Sequence, residues 1–218
     1  MRLLPIGCKS LDDLIGGGIE SGIITKIYGE AGTGKTNICL QATRECILNN
    51  IGRVVYIDTE GVSMERLKQI TNKHRYSEML DKILLYTPTT FENQEGIITE
   101  LSKITDKGLI IIDTINMLYR LQIEHDRESA MRSFIRQMTT LQLTAREQDL
   151  FIIVAEQVYT DKSGEIKPFT HRETEHMVKT IIKLERKGIG ERRAVLMKHR
   201  FQPEGKNVEF HITSKGLE

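Results

Sequence analysis

Residues 29–36, Gly-Glu-Ala-Gly-Thr-Gly-Lys-Thr, constrain what this chain can fold into more than any other stretch. An apolar, β-prone run from Ile23 to Tyr28 leads into them, and helical periodicity follows in Ile38, Leu40, Gln41 and Ala42. Strand, glycine-rich turn and helix in that order form a P-loop. Gly29, Gly32 and Gly34 allow the tight turn, and with Glu30, Ala31 and Thr33 between them the backbone N–H groups gather inward as an anion nest. The helix beginning near Gly34 adds the positive end of its dipole. Lys35 has the reach for β- and γ-phosphates, and the Thr36 hydroxyl suits Mg²⁺. The stretch predicts a nucleoside triphosphate site.

At 218 residues the chain suits one α/β domain, residues 1–218, burying roughly 70% of its unfolded surface. Hydrophobic content of 39% and charged content of 28% are ordinary for a soluble globular protein. No apolar run approaches the ~20 residues of a membrane span, and the N-terminus lacks a signal-peptide core, so a cytoplasmic location with no membrane partner is expected. Cys8, Cys39 and Cys46 lack metal-ligand spacing. The last two sit about 10.5 Å apart along one predicted helix, too far for a disulfide, so buried free thiols are expected. The net charge of +1 divides unevenly: residues 1–158 carry 18 basic and 21 acidic side chains, residues 159–218 carry 13 and 9.

Taken in order, Ser10-Leu11-Asp12-Asp13 has the pattern of a capping box opening a short helix that Gly16-Gly17-Gly18 ends. Strands are predicted at 53–58, 83–86, 109–113 and 150–155, and helices at 63–74, 91–104 and 126–148. The run Leu109 to Asp113 is continuously apolar up to its final acid, as in a strand buried on both faces of a parallel sheet. Residues 158–176 lack apolar periodicity and read as a long loop. Strand-like runs at 178–185, 193–198 and 207–212 follow, the first two joined by a Gly188-Ile189-Gly190 turn. The expected architecture is a mainly parallel sheet flanked by helices, with a C-terminal antiparallel edge.

Asp113, at the end of a buried strand, fits a Walker B acid for Mg²⁺. Thr114 follows it, so a general base must come from elsewhere. Glu60, just past the neighbouring strand in Asp58-Thr59-Glu60-Gly61, lies at the same sheet edge.

Several segments resemble the RecA/RadA-type recombinases. They are Asp58-Thr59-Glu60-Gly61 with Glu65-Arg66-Leu67, the N-terminal set Gly7, Leu11, Asp12, Leu14, Gly17, Gly18 and Ile19, Ile112-Asp113-Thr114 with Leu118-Tyr119-Arg120, and Glu156-Gln157-Val158. The length and Lys198-His199-Arg200 are most similar to the family's short archaeal paralogues. The resemblance implies a RecA-like P-loop ATPase core using ATP and Mg²⁺. It makes Lys35, Glu60 and Gln157 catalytic, Gln157 being the γ-phosphate sensor, and it stacks Arg66 on adenine. It makes Lys198 and Arg200, two apart on a strand, fingers toward a neighbouring subunit's ATP. Residues 120–127 become a first DNA loop with Arg120 and Arg127. Residues 158–176 become a second, with Lys162, Lys167, His171 and Arg172 for phosphates and Tyr159 and Phe169 for stacking.

The chain departs from the full-length pattern. An N-terminal helical DNA-binding domain, a Phe-x-x-Ala docking segment and a Gly-Gly element in the second loop are missing from residues 1–218. The implied activity is thus a weak ATPase that binds single-stranded DNA in preference to duplex, with little sequence preference, and assists recombination without strand exchange of its own. A recombinase or junction-processing partner and an ATP-dependent homo-oligomer are expected. Two other readings stay open: an ATP-switched adaptor that scarcely hydrolyses ATP, and a small-molecule kinase, ranked last for want of an Arg-rich lid.

Overall fold

The computed structural model describes residues 1–71, 76–160, 166–168 and 172–218, the side chains of residues 160, 166–168 and 172–173 excepted. Strands β1 (Leu3–Leu4) and β2 (Ile19–Glu20) pair antiparallel around helix α1 (Lys9–Leu14). Strands and helices then follow as β3 (Ile23–Gly29), α2 (Lys35–Leu48), β4 (Arg53–Asp58), α3 (Met64–Ile70), α4 (Tyr76–Leu80), β5 (Ile83–Tyr86), α5 (Phe91–Glu100), β6 (Lys107–Asp113), α6 (Met117–Gln122), α7 (Arg127–Gln148) and β7 (Phe151–Glu156). The remaining elements are β8 (Val158–Thr160), β9 (Ile166–Pro168), α8 (Arg172–Glu175), β10 (Val178–Arg186), β11 (Glu191–Lys198), β12 (Asn207–Thr213) and β13 (Gly216–Leu217).

The main sheet runs β13-β12-β11-β10-β3-β7-β6-β4-β5. Strands β10, β3, β7, β6, β4 and β5 are parallel, and β11, β12 and β13 continue antiparallel. The predicted parallel sheet with an antiparallel C-terminal edge is therefore present. Alternation along each strand splits the core in two: Leu109 and Ile111 of β6 pack with α1 and α2, while Ile110 and Ile112 pack with α5 and α7. Helices on both faces explain why these strands are apolar throughout. One charged pair interrupts them. Lys26 Nζ lies 3.5 Å from Glu156 Oε2, both fully buried on neighbouring strands. Removing either partner would take a counter-charge away from a buried group and should cost stability. Cys8, Cys39 and Cys46 are free and buried, and burial pushes the Cys46 thiol up to about 12.

Several local expectations differ from the structure. Cys8, not Ser10, caps α1, and no side chain caps it there. The Asp12 carboxylate instead accepts from the Ile6 and Gly7 amides at 2.6 and 3.1 Å, pinning the incoming turn to the helix. The helix expected over 63–74 ends at Ile70, since Thr71 turns extended. Residues 158–176 are not one long loop: β8 and β9 pair antiparallel with Tyr159 opposite Lys167, and Arg172 opens α8. The first loop is shorter than expected, because α6 reaches Gln122 and Asp126 already caps α7 by accepting from the Ser129 amide at 3.0 Å.

Candidate nucleotide-binding site

Parallel pairing brings the carboxyl ends of β3, β7, β6 and β4 to one edge, with Tyr28 opposite Glu156, Ala155 opposite Asp113 and Asp113 opposite Asp58. The expected P-loop leaves β3 at Gly29 and enters α2 at Lys35. Gly34 caps α2 at φ 107°, a left-handed conformation that only glycine adopts without strain. At Gly29 a Cβ would sit 2.5 Å from the Leu184 carbonyl oxygen of β10, so close strand packing requires glycine there too. Lys35 is buried, and its Nζ donates to the Gly29 and Glu30 carbonyls at 2.8 and 3.1 Å. Burial lowers its pKa, and the nearby Glu60 and Asp113 carboxylates partly restore it.

Asp113 is buried at the end of β6. Its Oδ2 accepts from the Tyr56 hydroxyl at 2.9 Å, and its Oδ1 has no hydrogen-bond partner of good geometry. Burial raises this carboxyl's pKa, while the adjacent Thr36 and Tyr56 hydroxyls pull it back. Asp58, one strand over, holds the next turn: Oδ1 accepts from the Glu60 and Gly61 amides at 3.1 and 2.9 Å, and Oδ2 from the Val62 amide at 2.6 Å. That turn delivers Glu60. Its Oε1 accepts from the Thr114 hydroxyl at 2.8 Å and from Gln157 Nε2 at 2.6 Å.

Gln157 is fixed in turn. Its backbone exchanges hydrogen bonds with the Asn116 side chain at 2.9 and 3.0 Å, and its Oε1 accepts from Arg120 Nη1 at 2.8 Å. Arg120, predicted in a DNA loop, thus sits on α6 with its guanidinium on Gln157. A cleft of about 500 Å³ lined by Met117, Arg120, Leu121, Ile123, Glu124 and Gln157 opens beside them. Arg127 is exposed at the start of α7, and Tyr159 is exposed on β8. Lys162, Phe169 and His171 lie outside the described residues, and only the backbones of Lys167 and Arg172 are described.

Arg66 reaches the same neighbourhood from α3. Its Nε donates to Asn37 Oδ1 at 2.7 Å and its Nη2 to the Thr213 carbonyl at 2.7 Å, joining α2 to the C-terminal strands. Lys198 and Arg200 do not share a strand: β11 ends at Lys198. Because β11 runs antiparallel to β10, Lys198 pairs with Ile181, six residues or ~20 Å along the strand from Arg192 beside the P-loop. Lys198 Nζ donates to the Glu175 carbonyl at 2.9 Å, and Arg200 Nη1 to Glu20 Oε2 at 3.2 Å. Two residues that sequence reasoning missed stand on the P-loop itself: Arg186 donates to the Ala31 carbonyl and Arg192 Nε to the Gly32 carbonyl at 2.9 Å.

The Rad51 family model matches residues 2–218. The chain is 42% identical over 216 residues to the DNA repair and recombination protein RadB of Methanococcoides burtonii, covering 96% of this chain and 95% of that one. It is 38% identical over 222 residues to the protein of the same name from Archaeoglobus fulgidus, covering 99% and 98%. A solved structure described as the crystal structure of the RadB recombinase superposes with a TM-score of 0.86 at 35% identity, covering 99% of this chain and 98% of that one. Motifs, sheet order and relatives agree: the chain belongs to the Rad51 family, alongside the RadB proteins it resembles, and has the family's RecA-like fold.

Proposed function

We propose that this chain is an ATP-binding, weakly ATP-hydrolysing protein that binds DNA and assists homologous recombination and repair, without catalysing strand exchange alone. The observation that carries this reading is the meeting of Lys35, Asp113 and Glu60 at one sheet edge, close enough that both carboxylates act on the lysine's charge. The names of the relatives, DNA repair and recombination proteins, supply the process.

The residues suit Mg²⁺ and ATP. Asp113 keeps a buried, unpartnered oxygen near Thr36, and among the described residues no group of three or more His, Cys, Asp or Glu could hold a metal. One carboxylate and one hydroxyl are the usual protein share of a Mg²⁺ site completed by phosphate and water. When bound, the ion would offset charge on the phosphates. Lys35 would exchange its Gly29 and Glu30 carbonyls for phosphate oxygens, with Gly29 to Thr36 as the cradle and Arg66 beside the base. Glu60 would take the proton of the attacking water, and Gln157 would report on the γ-phosphate.

Glu60 Oε1 is held by both Thr114 and Gln157, so the carboxylate is fixed in place until Gln157 turns away. This favours slow turnover, and the same latch favours a second reading, an ATP-switched adaptor with negligible hydrolysis. In our reading Arg127, Tyr159, Lys162, Lys167, Phe169, His171 and Arg172 meet single-stranded DNA. In the same reading Lys198 and Arg200 act on a neighbouring subunit's nucleotide. A recombinase or junction-processing protein is the proposed partner. Among the described residues no helix is long and apolar enough to cross a membrane. Phosphate release by the full chain with MgATP, with and without single-stranded DNA, tests the assignment. Slow release that DNA accelerates supports it, ATP binding without release supports the adaptor, and no ATP binding overturns both.

A further inference from the structure

Arg186 closes β10, Arg192 is the second residue of β11, and the hairpin register sets them directly opposite each other. Like charges facing across a strand pair are destabilising. The neighbouring pair is complementary, Glu185 opposite Arg193, with Lys183 Nζ also on Glu185 at 2.9 Å. The mismatched pair therefore falls where the hairpin meets the phosphate loop, and both guanidiniums reach out to that loop. Arg186 Nη2 donates to the Ala31 carbonyl and Arg192 Nε to the Gly32 carbonyl at 2.9 Å. Arg192 Nη1 is anchored on its own turn by the Gly188 and Glu191 carbonyls at 3.2 and 2.7 Å. A Cβ on Gly32 would collide with the Arg186 guanidinium, so this contact and the glycine belong together.

A trans peptide carries its C=O and N–H on opposite sides. A cation on the Ala31 carbonyl thus fixes the Gly32 N–H to face the other way, and one on the Gly32 carbonyl does the same for the Thr33 N–H. The latter makes only a long 3.3 Å bond to the Glu30 carbonyl. Charge on the acceptor side also polarises the peptide, strengthening its N–H as a donor. Lys35 grips the same loop from within, through Gly29 and Glu30.

We propose that Arg186 and Arg192 are positioning residues of the phosphate loop. From outside the loop they orient and polarise its two central peptides, so the C-terminal hairpin sets the affinity for nucleoside di- and triphosphates. This rests on the nucleotide-binding reading above. Neither arginine needs to touch a phosphate, which separates the proposal from a γ-phosphate finger.

The test uses the full chain as parent, Arg186→Gln, Arg192→Gln, the double variant and a double Arg→Lys variant. Hydrogen exchange of the residue 30–36 amides is followed without nucleotide, and MgADP and MgATP affinities are measured by calorimetry. Expected are faster exchange confined to the loop, and MgADP and MgATP weakened by similar factors, about tenfold per arginine, with partial recovery in the lysine variant. Parental exchange and parental affinities in the double glutamine variant would overturn the proposal, as would loss of MgATP affinity alone. If the parent binds neither nucleotide, the nucleotide reading fails. Exchange then decides by itself, faster supporting the loop contact and unchanged overturning it.

Discussion

The two ends of the β10–β11 hairpin carry similar cations into unlike surroundings. At the end beside the phosphate loop, Arg186 and Arg192 point at backbone carbonyls within a group of side chains that converge on one spot: Lys35, Asp113, Glu60 and Gln157. At the other end, Arg200 Nη1 donates to Oε2 of the buried Glu20, and His199 Nε2 lies 3.6 Å from Oε1 of the same carboxylate. His199 Nδ1 accepts from the Phe201 and Gln202 amides at 3.4 and 3.2 Å, and burial lowers its pKa while the Glu20 carboxylate works the other way. One end keeps polar atoms available for chemistry, and the other uses them to seal a chain crossing. Spacing along a strand tells which face a side chain shares, but only pairing tells which edge it reaches.

Glu60→Gln probes the first end most strongly. Nucleotide affinity should be retained while turnover falls by about 100-fold or more, the ordinary contribution of a general base. Turnover equal to the parent's would move the base elsewhere and erase the contrast between the two ends.

Asp113→Asn should have two smaller effects that sharpen it. The first is loss of the Mg²⁺ dependence of nucleotide affinity, read by titration with and without chelator. The second is a gain in stability of the nucleotide-free chain at neutral pH, read by chemical unfolding. Burial raises the Asp113 pKa, so the folded state holds this proton more tightly than the unfolded state does. The resulting penalty is full above the folded pKa and is relieved as pH falls through it. The gain from asparagine should therefore shrink on acidification, and a gain independent of pH would contradict the assignment.

The amino end should answer in the opposite way. Arg200→Ala leaves Glu20 without a donor and should lower stability by about 1–3 kcal/mol in thermal or chemical unfolding. Its effect on MgATP affinity at low protein concentration should stay within about twofold, because Arg200 follows the end of β11 that is six residues, or ~20 Å of strand, from Arg192 beside the P-loop. Lys198→Ala should do least of all. An effect on turnover that grows with protein concentration is what action on a neighbouring subunit would give.

The parallel strands and the P-loop were legible because each strand is a continuous apolar run and the glycine spacing admits few backbones. The placement of Glu60 and Asp113 at one sheet edge was legible for the same reason, since both follow such runs. Arg120 was not: helix α6 turns it inward onto Gln157, a contact set by tertiary packing between segments 37 residues apart. Arg186 and Arg192 were hidden because their meaning lies in a cross-strand pairing and in carbonyls about 155 and 160 residues away in sequence. The β8–β9 hairpin escaped because three-residue strands leave too little alternation to read. At α1 the Ser-x-x-Asp spacing pointed to Ser10, whereas the Asp12 carboxylate already serves the turn before the helix.

The most direct test of the account is the MgATP affinity of Lys35→Ala beside the parent, with unfolding measured on the same samples. Lys35 Nζ donates to the Gly29 and Glu30 carbonyls of the loop, and neither apolar core cluster is built on this side chain. The account predicts a fold as stable as the parent's and an affinity reduced by about 100-fold or beyond detection. A folded variant that binds MgATP like the parent would contradict it.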